Sequence, residues 1–256
     1  MQLYLAVTPD RLDQVLALTP HIAHIAFRVS EDGALLQRPL PASLQGGIMV
    51  LQCPSAVPAH RAESLAHEVL HTCICRKFSG ILLTAPSTAD ISSAARWLQQ
   101  LARRHHRCLY VPESCAQSVP EATVLLCTAL SGGSLQQRLT QAVQQYGAQR
   151  IALDLQRLMM SFPLPCPSGE GHPLSLKDLR QQQQGHSVYY CDALCAHYFT
   201  QQHGGQTRFV LYDDADTLLR KTELAEKLGI SQAFISWPET ADLLPQLFVK
   251  KKEGEP

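Results

Sequence analysis

Charge is scarce in this sequence, and neither sign prevails. Charged residues make up 17% of the 256, and Lys+Arg and Asp+Glu stand at 22 each. With no global field to gather polyanions, nucleic acid and anionic membrane surfaces are excluded as first partners. No apolar run approaches the roughly 18 residues of a membrane span. Neither a G-x-G-x-x-G nor a G-x-x-x-x-G-K-[ST] loop occurs, and Gly132-Gly133-Ser134 reads as a turn and helix cap. No C-x-x-C pair occurs either. His71, Cys73 and Cys75 form an H-x-C-x-C string, but positions two apart on a helix point in different directions. Neither a metal nor a cofactor is expected. The nine cysteines are odd in number, and MQLYLAVTPDRLDQ has no basic segment leading into an apolar run. Reduced thiols and cytoplasmic residence are the expectation.

What the sequence does have is a short apolar run, repeated, with helical patterns between the copies. That alternation is the mark of a parallel sheet. We read strands at Leu3–Val7, Ile22–Val29, Gly47–Gln52, Gly80–Thr84, Cys108–Val111, Thr123–Cys127, Ile151–Leu155 and Ala233–Trp237. Helical patterns lie at Arg61–Cys75, Ile91–His105, Ser134–Tyr146 and Thr217–Leu228, with a weakly signalled Arg11–Ala17 near the start. Eight strands in about 250 residues fit a single (β/α)8 TIM barrel, an α/β fold. Ser187–Cys191 and Thr207–Tyr212 read as extended runs flanking a helical Ala193–Gln201. Together they form a small α+β insertion at about 186–214, between strands 7 and 8. Pro163–Pro173 reads as an irregular loop. The barrel domain is expected over 1–249 and a disordered tail over 250–256.

The fourth of these strands lies in Phe78–Pro86, FSGILLTAP, which resembles the fourth strand of glycoside hydrolase family 18 barrels. That family has D-G-x-D-x-D-x-E at this point. Here Ser79-Gly80-Ile81-Leu82-Leu83-Thr84-Ala85-Pro86 fills the frame, with the glycine kept and every carboxylate absent. Arg208–Lys221, RFVLYDDADTLLRK, is similar to the V-W-x-E-D-A-x-S-x-x-x-K segment of the branch related to spore-germination peptidoglycan hydrolases. Gly229 and Ser236-Trp237 follow in that branch's order. Where the family's sixth strand ends M-x-Y-D stands Cys127-Thr128-Ala129-Leu130, and where its seventh has G-x-P-x-Y stands Asp154–Leu158.

The resemblance implies a TIM barrel, and a reaction that these substitutions oppose. Family 18 hydrolysis is substrate-assisted: a carboxylic acid protonates the glycosidic oxygen while the substrate's acetamido group attacks the anomeric carbon. Period-two alternation turns Leu82, Thr84 and Pro86 toward the lumen together. Pro86, in the acid's place, has no proton to give, and general acid catalysis is worth about 10²–10⁴-fold. Asp90 falls beyond the strand, where a helix cap suits it better.

Any function belongs at the C-terminal ends of the strands. Glu113, after the fifth strand, reads as an exposed loop carboxylate, with a displaced acid as the sharper alternative. Asp154 interrupts an apolar strand and needs a partner, for which Arg28 or Arg157 would serve; an ion pair and a catalytic acid both stay open. Glu239 is the third candidate for a relocated acid. The resemblance makes Trp237 the floor beneath a sugar ring, against a bland reading as core. Asp154, Arg28 and Gln156 complete the candidate ligand set. Asp213 and Asp214 read as turn carboxylates, with Asp214 or Asp216 capping the following helix. The leading expectation is a family 18-like barrel without hydrolysis that binds a glycan, a peptidoglycan fragment or a protein partner. The alternatives are an active hydrolase with a relocated acid, and a barrel with only an interaction surface.

Overall fold

The computed structural model describes residues 1–41, 44–167 and 169–253. In chain order the strands are β1 (Gln2–Val7), β2 (Ile22–Val29), β3 (Leu35–Gln37), β4 (Ile48–Gln52), β5 (Gly80–Thr84), β6 (Cys108–Pro112) and β7 (Thr123–Cys127). They continue with β8 (Ile151–Asp154), β9 (Met159–Leu164), β10 (His172–Pro173), β11 (Tyr189–Cys191), β12 (Ala196–His203), β13 (Gln206–Tyr212) and β14 (Gln232–Ser236). The helices are α1 (Leu12–Val15), α2 (Ala62–Cys75), α3 (Ser92–Arg104), α4 (Leu135–Tyr146), α5 (Leu176–Gln183), α6 (Ala215–Lys227), α7 (Trp237–Thr240) and α8 (Leu244–Glu253). The last helix covers 250–253 of the expected tail, and 254–256 lie outside the described residues.

The chain divides into two units. One comprises Met1–Leu126, Tyr146–Asp154 and Ile230–Pro238; the other comprises Cys127–Gln145, Leu155–Gly229 and the chain from Glu239 onward. In the first unit β1, β2, β4, β5, β6, β7, β8 and β14 lie side by side and parallel. β1 pairs with both β2 and β14, so the sheet closes on itself. The fold is an eight-stranded parallel barrel with surrounding helices, as expected, and β3 adds antiparallel to β2 outside the closed ring.

Alternation explains why these strands read as unbroken apolar runs. One parity points inward: Tyr4, Ala6, Ala23, Ile48, Val50, Leu82, Tyr110, Leu125, Ala152 and Phe234 form one buried cluster. Phe234 stacks on Tyr4 at 5.0 Å and meets Tyr110 edge-on at 4.9 Å, so aromatic rings fill the lumen as a packed core. The other parity, including Met49, Leu51, Ile81, Leu83 and Leu109, packs beneath α2 and α3. A strand covered on both faces has no polar side to show. Gly80 lies in register with Cys108 of β6, and a Cβ there would lie 2.8 Å from the Cys108 carbonyl oxygen. His24 faces outward from β2 and is buried; its Nε2 lies 3.2 Å from the Gly46 carbonyl, and its ring lies 5.4 Å from that of Phe78.

The second unit is built on an antiparallel sheet in the order β10-β9-β13-β12-β11. One face carries Leu158, Phe162, Leu194, Ala196 and Leu211. The other carries Phe199, Val210 and Tyr212 against Leu179 of α5. Ala193–Gln201 is not a helix. Residues 192–195 turn, with Cys195 at φ 50, and β12 then runs from Ala196 to His203. Its apolar residues feed both faces of the sheet, so neither a helical nor an alternating pattern stands out. β12 and β13 are joined by Gly204-Gly205, both at positive φ as a tight two-residue hairpin requires. The sheet also takes in Met159–Leu164, so part of the stretch expected as loop is strand and the sheet begins well before residue 186.

Candidate functional site

At the C-terminal ends of β2, β4 and β5 the barrel unit opens a cleft of about 430 Å³. Arg28, Gln52, Cys53, Pro54, Thr84, Ala85 and Pro86 line it. The strand register sets three of these side by side: Arg28 pairs with Gln52, and Gln52 pairs with Thr84. Gln52 and Thr84 each stand two residues beyond an inward-facing neighbour, Val50 and Leu82, so they share the lumen parity. Hydrogen bonding continues past the strand ends, with the Cys53 N–H donating to the Thr84 carbonyl at 2.8 Å. Arg28 and Gln52 are exposed and Thr84 is half-buried. No carboxylate lines the cleft, and Arg28 has no ion-pair partner among the described residues.

The three positions expected to replace the family's carboxylates occupy distinct environments. Leu82 is buried in the lumen, Thr84 sits at the rim, and Pro86 is exposed on the cleft wall. Asp90 accepts a hydrogen bond from the Ser92 N–H at 3.0 Å, but the N-cap of α3 is Ile91, so Asp90 sits one residue before the cap position expected of it. Glu113 opens a single 3-10 turn directly after β6 and is half-buried. Asp154 ends β8 in register with Phe234, shares the lumen parity of Ala152 and is half-buried. Trp237 follows β14, begins α7 and is half-buried. The expected ligand set is therefore divided: Arg28 belongs to the cleft at β2, β4 and β5, whereas Asp154 ends β8 and Trp237 follows its paired strand β14.

Gln156 belongs to the second unit, where it lines another cleft of about 600 Å³ with Arg157, Met159, Met160, Phe162 and Glu170 among its walls. Gln156 Oε1 accepts from the Cys127 thiol at 3.5 Å. Arg157 is already committed. Its guanidinium meets both oxygens of Asp242, at 2.7 and 3.3 Å, and also donates to the Glu239 carbonyl at 3.2 Å. Glu239 itself is exposed.

Asp214 caps α6: its carboxylate accepts from the Thr217 N–H, and the Thr217 hydroxyl lies 3.0 Å from the Asp214 N–H to complete a capping box. Asp213 is a different matter, for it is wholly buried rather than a turn residue in solvent. Its carboxylate meets the Lys221 ammonium at 2.7 Å, the Leu158 N–H at 2.9 Å and the Thr217 hydroxyl at 2.9 Å. Burial pushes the carboxyl up from its ordinary value, opposed by Lys221 and these hydrogen bonds. The signal was present in the sequence as an aspartate eight residues before a lysine, two and a bit helical turns apart. His71 and Cys75 are neighbours on the exposed side of α2, 3.5 Å apart, while Cys73 faces the core. Among the described residues no group of three or more His, Cys, Asp or Glu is placed to hold a metal.

No protein-family model matches the sequence, and no curated protein matches it. Solved structures do. A spore cortex-lytic enzyme, SleL, from Bacillus megaterium superposes with a TM-score of 0.70 at 14% identity, over 100% of this chain and 74% of that one. A chitinase from Chromobacterium violaceum matches with a TM-score of 0.70 at 14% identity, over 100% of each chain. The C-terminal domain of a putative chitinase from Desulfitobacterium hafniense matches with a TM-score of 0.69 at 10% identity, over 97% of each. At such identities the likeness is one of fold: this chain is built as a glycoside hydrolase-like barrel.

Proposed function

We propose that this chain is a family 18-like barrel that does not hydrolyse glycosidic bonds and binds a glycan or peptidoglycan fragment at the mouth of the barrel. The observation that carries the proposal is the rim of β5. There Thr84 offers a hydroxyl, Pro86 offers no proton, and among the described residues no carboxylate lines the cleft beside them. Hydrolysis of the family type needs a carboxylic acid at the leaving oxygen and a charged group to hold the acetamido nucleophile. The likeness in fold to a spore cortex-lytic enzyme and to chitinases supports the ligand class. Cytoplasmic residence is part of the same proposal, and fractionation of the native host tests it.

A second reading follows from Asp154, an inward-facing, half-buried carboxylate at the end of β8. It makes the chain a hydrolase with a relocated acid, with Glu113 and Glu239 as further candidates. Calorimetry and product analysis with N-acetylglucosamine oligomers and muropeptides separate the two. Binding without turnover is the expected result. Turnover that Asp154→Asn abolishes would transfer the function to the second reading. Neither binding nor turnover would overturn both and leave a protein partner as the occupant of the mouth.

A further inference from the structure

The cleft at the ends of β2, β4 and β5 carries side-chain donors on all three strands, from Arg28, Gln52 and Thr84. We infer that it is an oxyanion site for a carboxylate, so that the barrel takes acidic amino-sugar ligands in preference to neutral ones. This rests on the glycan-binding reading and narrows it. Arg28, Gln52 and Thr84 stand on three adjacent strands in one register row. Neighbouring strands are about 4.8 Å apart, so the row spans about 10 Å, the reach of one carboxylate with the ring that bears it. The guanidinium presents a fixed fork of N–H donors, the amide adds two more, and the hydroxyl adds one. Charge-assisted bonds of an arginine to a carboxylate are shorter and about twice as strong as neutral ones, and are frequently two-pronged.

The surroundings suit an anion. Among the described residues no carboxylate lines the cleft to satisfy Arg28 or to repel a negative ligand. The strand bearing Arg28 is held on both sides, Arg28 pairing with Leu36 of β3 and Gln52 of β4, so the backbone beneath the row is fixed before a ligand arrives. Pro54 and Pro86 stiffen the walls. A neutral sugar would leave the guanidinium unanswered. A carboxylated sugar, through a lactyl group or the carboxylates of an attached peptide, would engage it.

The test uses isothermal titration of the full chain with three probes: a disaccharide muropeptide with free carboxylates, the same muropeptide with its carboxylates amidated, and chitotetraose. The free acid is expected to bind about tenfold to a hundredfold more tightly than the amide. Arg28→Met should erase that difference, bringing the free acid down to the affinity of its amide. Arg28 is exposed, and a thermal melt of the variant checks that it folds. Equal affinity for acid and amide overturns the inference and leaves glycan binding standing. Loss of all three probes in Arg28→Met also overturns it, because the residue would then position the sugar rather than its charge. If no glycan binds but citrate does, in an Arg28-dependent manner, the anion site stands and the glycan reading falls. If neither glycans nor citrate bind, both fall. N-acetylmuramic acid, without peptide, tells lactyl from peptide carboxylate as the source of the preference.

Discussion

Lys221→Met should destabilise this protein more than most single changes, and in a pH-dependent way. The ammonium lies 2.7 Å from Asp213, and both side chains are 0% exposed. Removing one partner of a buried pair leaves the other charged and unanswered, at about 3–5 kcal/mol. Asp213 would retain the Leu158 N–H and the Thr217 hydroxyl, so the lower end applies, about 3 kcal/mol at pH 7. For 256 residues the unfolding entropy is about 0.5 kcal/mol per kelvin, so the melting temperature should fall by about 6 °C. Burial already pushes the Asp213 carboxyl up, and Lys221 is the chief group holding it down. Without Lys221 the folded carboxyl rises further, so the folded variant binds a proton more readily than the unfolded chain does. Stability of the variant is then greatest below the unfolded carboxylate value near 4 and is lost as pH rises. The deficit against the parent should shrink to about 1 kcal/mol at pH 4. Urea unfolding at both pH values measures it, and Asp213→Asn with Lys221→Met should recover most of the loss at pH 7. A deficit under about 0.5 kcal/mol, or one equal at pH 4 and pH 7, would refute the reasoning.

Two further outcomes follow from the barrel unit. Burial pushes the His24 imidazole down to about 4, against the Gly46 hydrogen bond. Between pH 6.5 and 4 the unfolded chain therefore binds the proton and the folded one does not. This contribution, up to about 3 kcal/mol, is present above pH 6.5 and lost as pH falls toward 4. His24→Gln should flatten the acid limb of a stability–pH curve, and an unchanged slope would count against the assignment. Gly80→Ala places a Cβ 2.8 Å from the Cys108 carbonyl oxygen, an atom of the neighbouring strand that cannot swing aside. We expect a loss of about 1–3 kcal/mol in urea unfolding, where an unstrained Gly→Ala change would gain a few tenths. A gain would mean that β5 and β6 do not approach so closely.

The barrel strands were legible because each is covered on two faces, and a doubly covered strand writes itself as a short apolar block. The observed ends of β2, β5 and β7 coincide with the sequence reading, and the rest differ by one residue. The second unit was not legible in the same way. Ala196–Phe199 places apolar residues on both faces of a sheet, which blurs the period, and the hairpin signal Gly204-Gly205 comes only at the far end of the strand. Tertiary pairing decides there, not local pattern. At the site, single strands told where Arg28 and Thr84 would emerge, but only the register across β2, β4 and β5 brought in Gln52. Asp213 was misread because its partner lies on the following helix, and a turn aspartate and a buried one look alike in one dimension.

The pairing of β1 with β14 has a consequence for how the chain is made. Gln2 lies against Gln232, and Tyr4 stacks on Phe234. During synthesis the first strand can find β2 on one side at once, but its other edge stays open until the last strand has emerged. A contact spanning nearly the whole sequence is slow to form, and an open apolar strand edge invites pairing with another chain. The barrel thus matures late and all at once. Truncations that stop short of Ser236 should yield insoluble chains rather than smaller folded ones, however intact the earlier strands are.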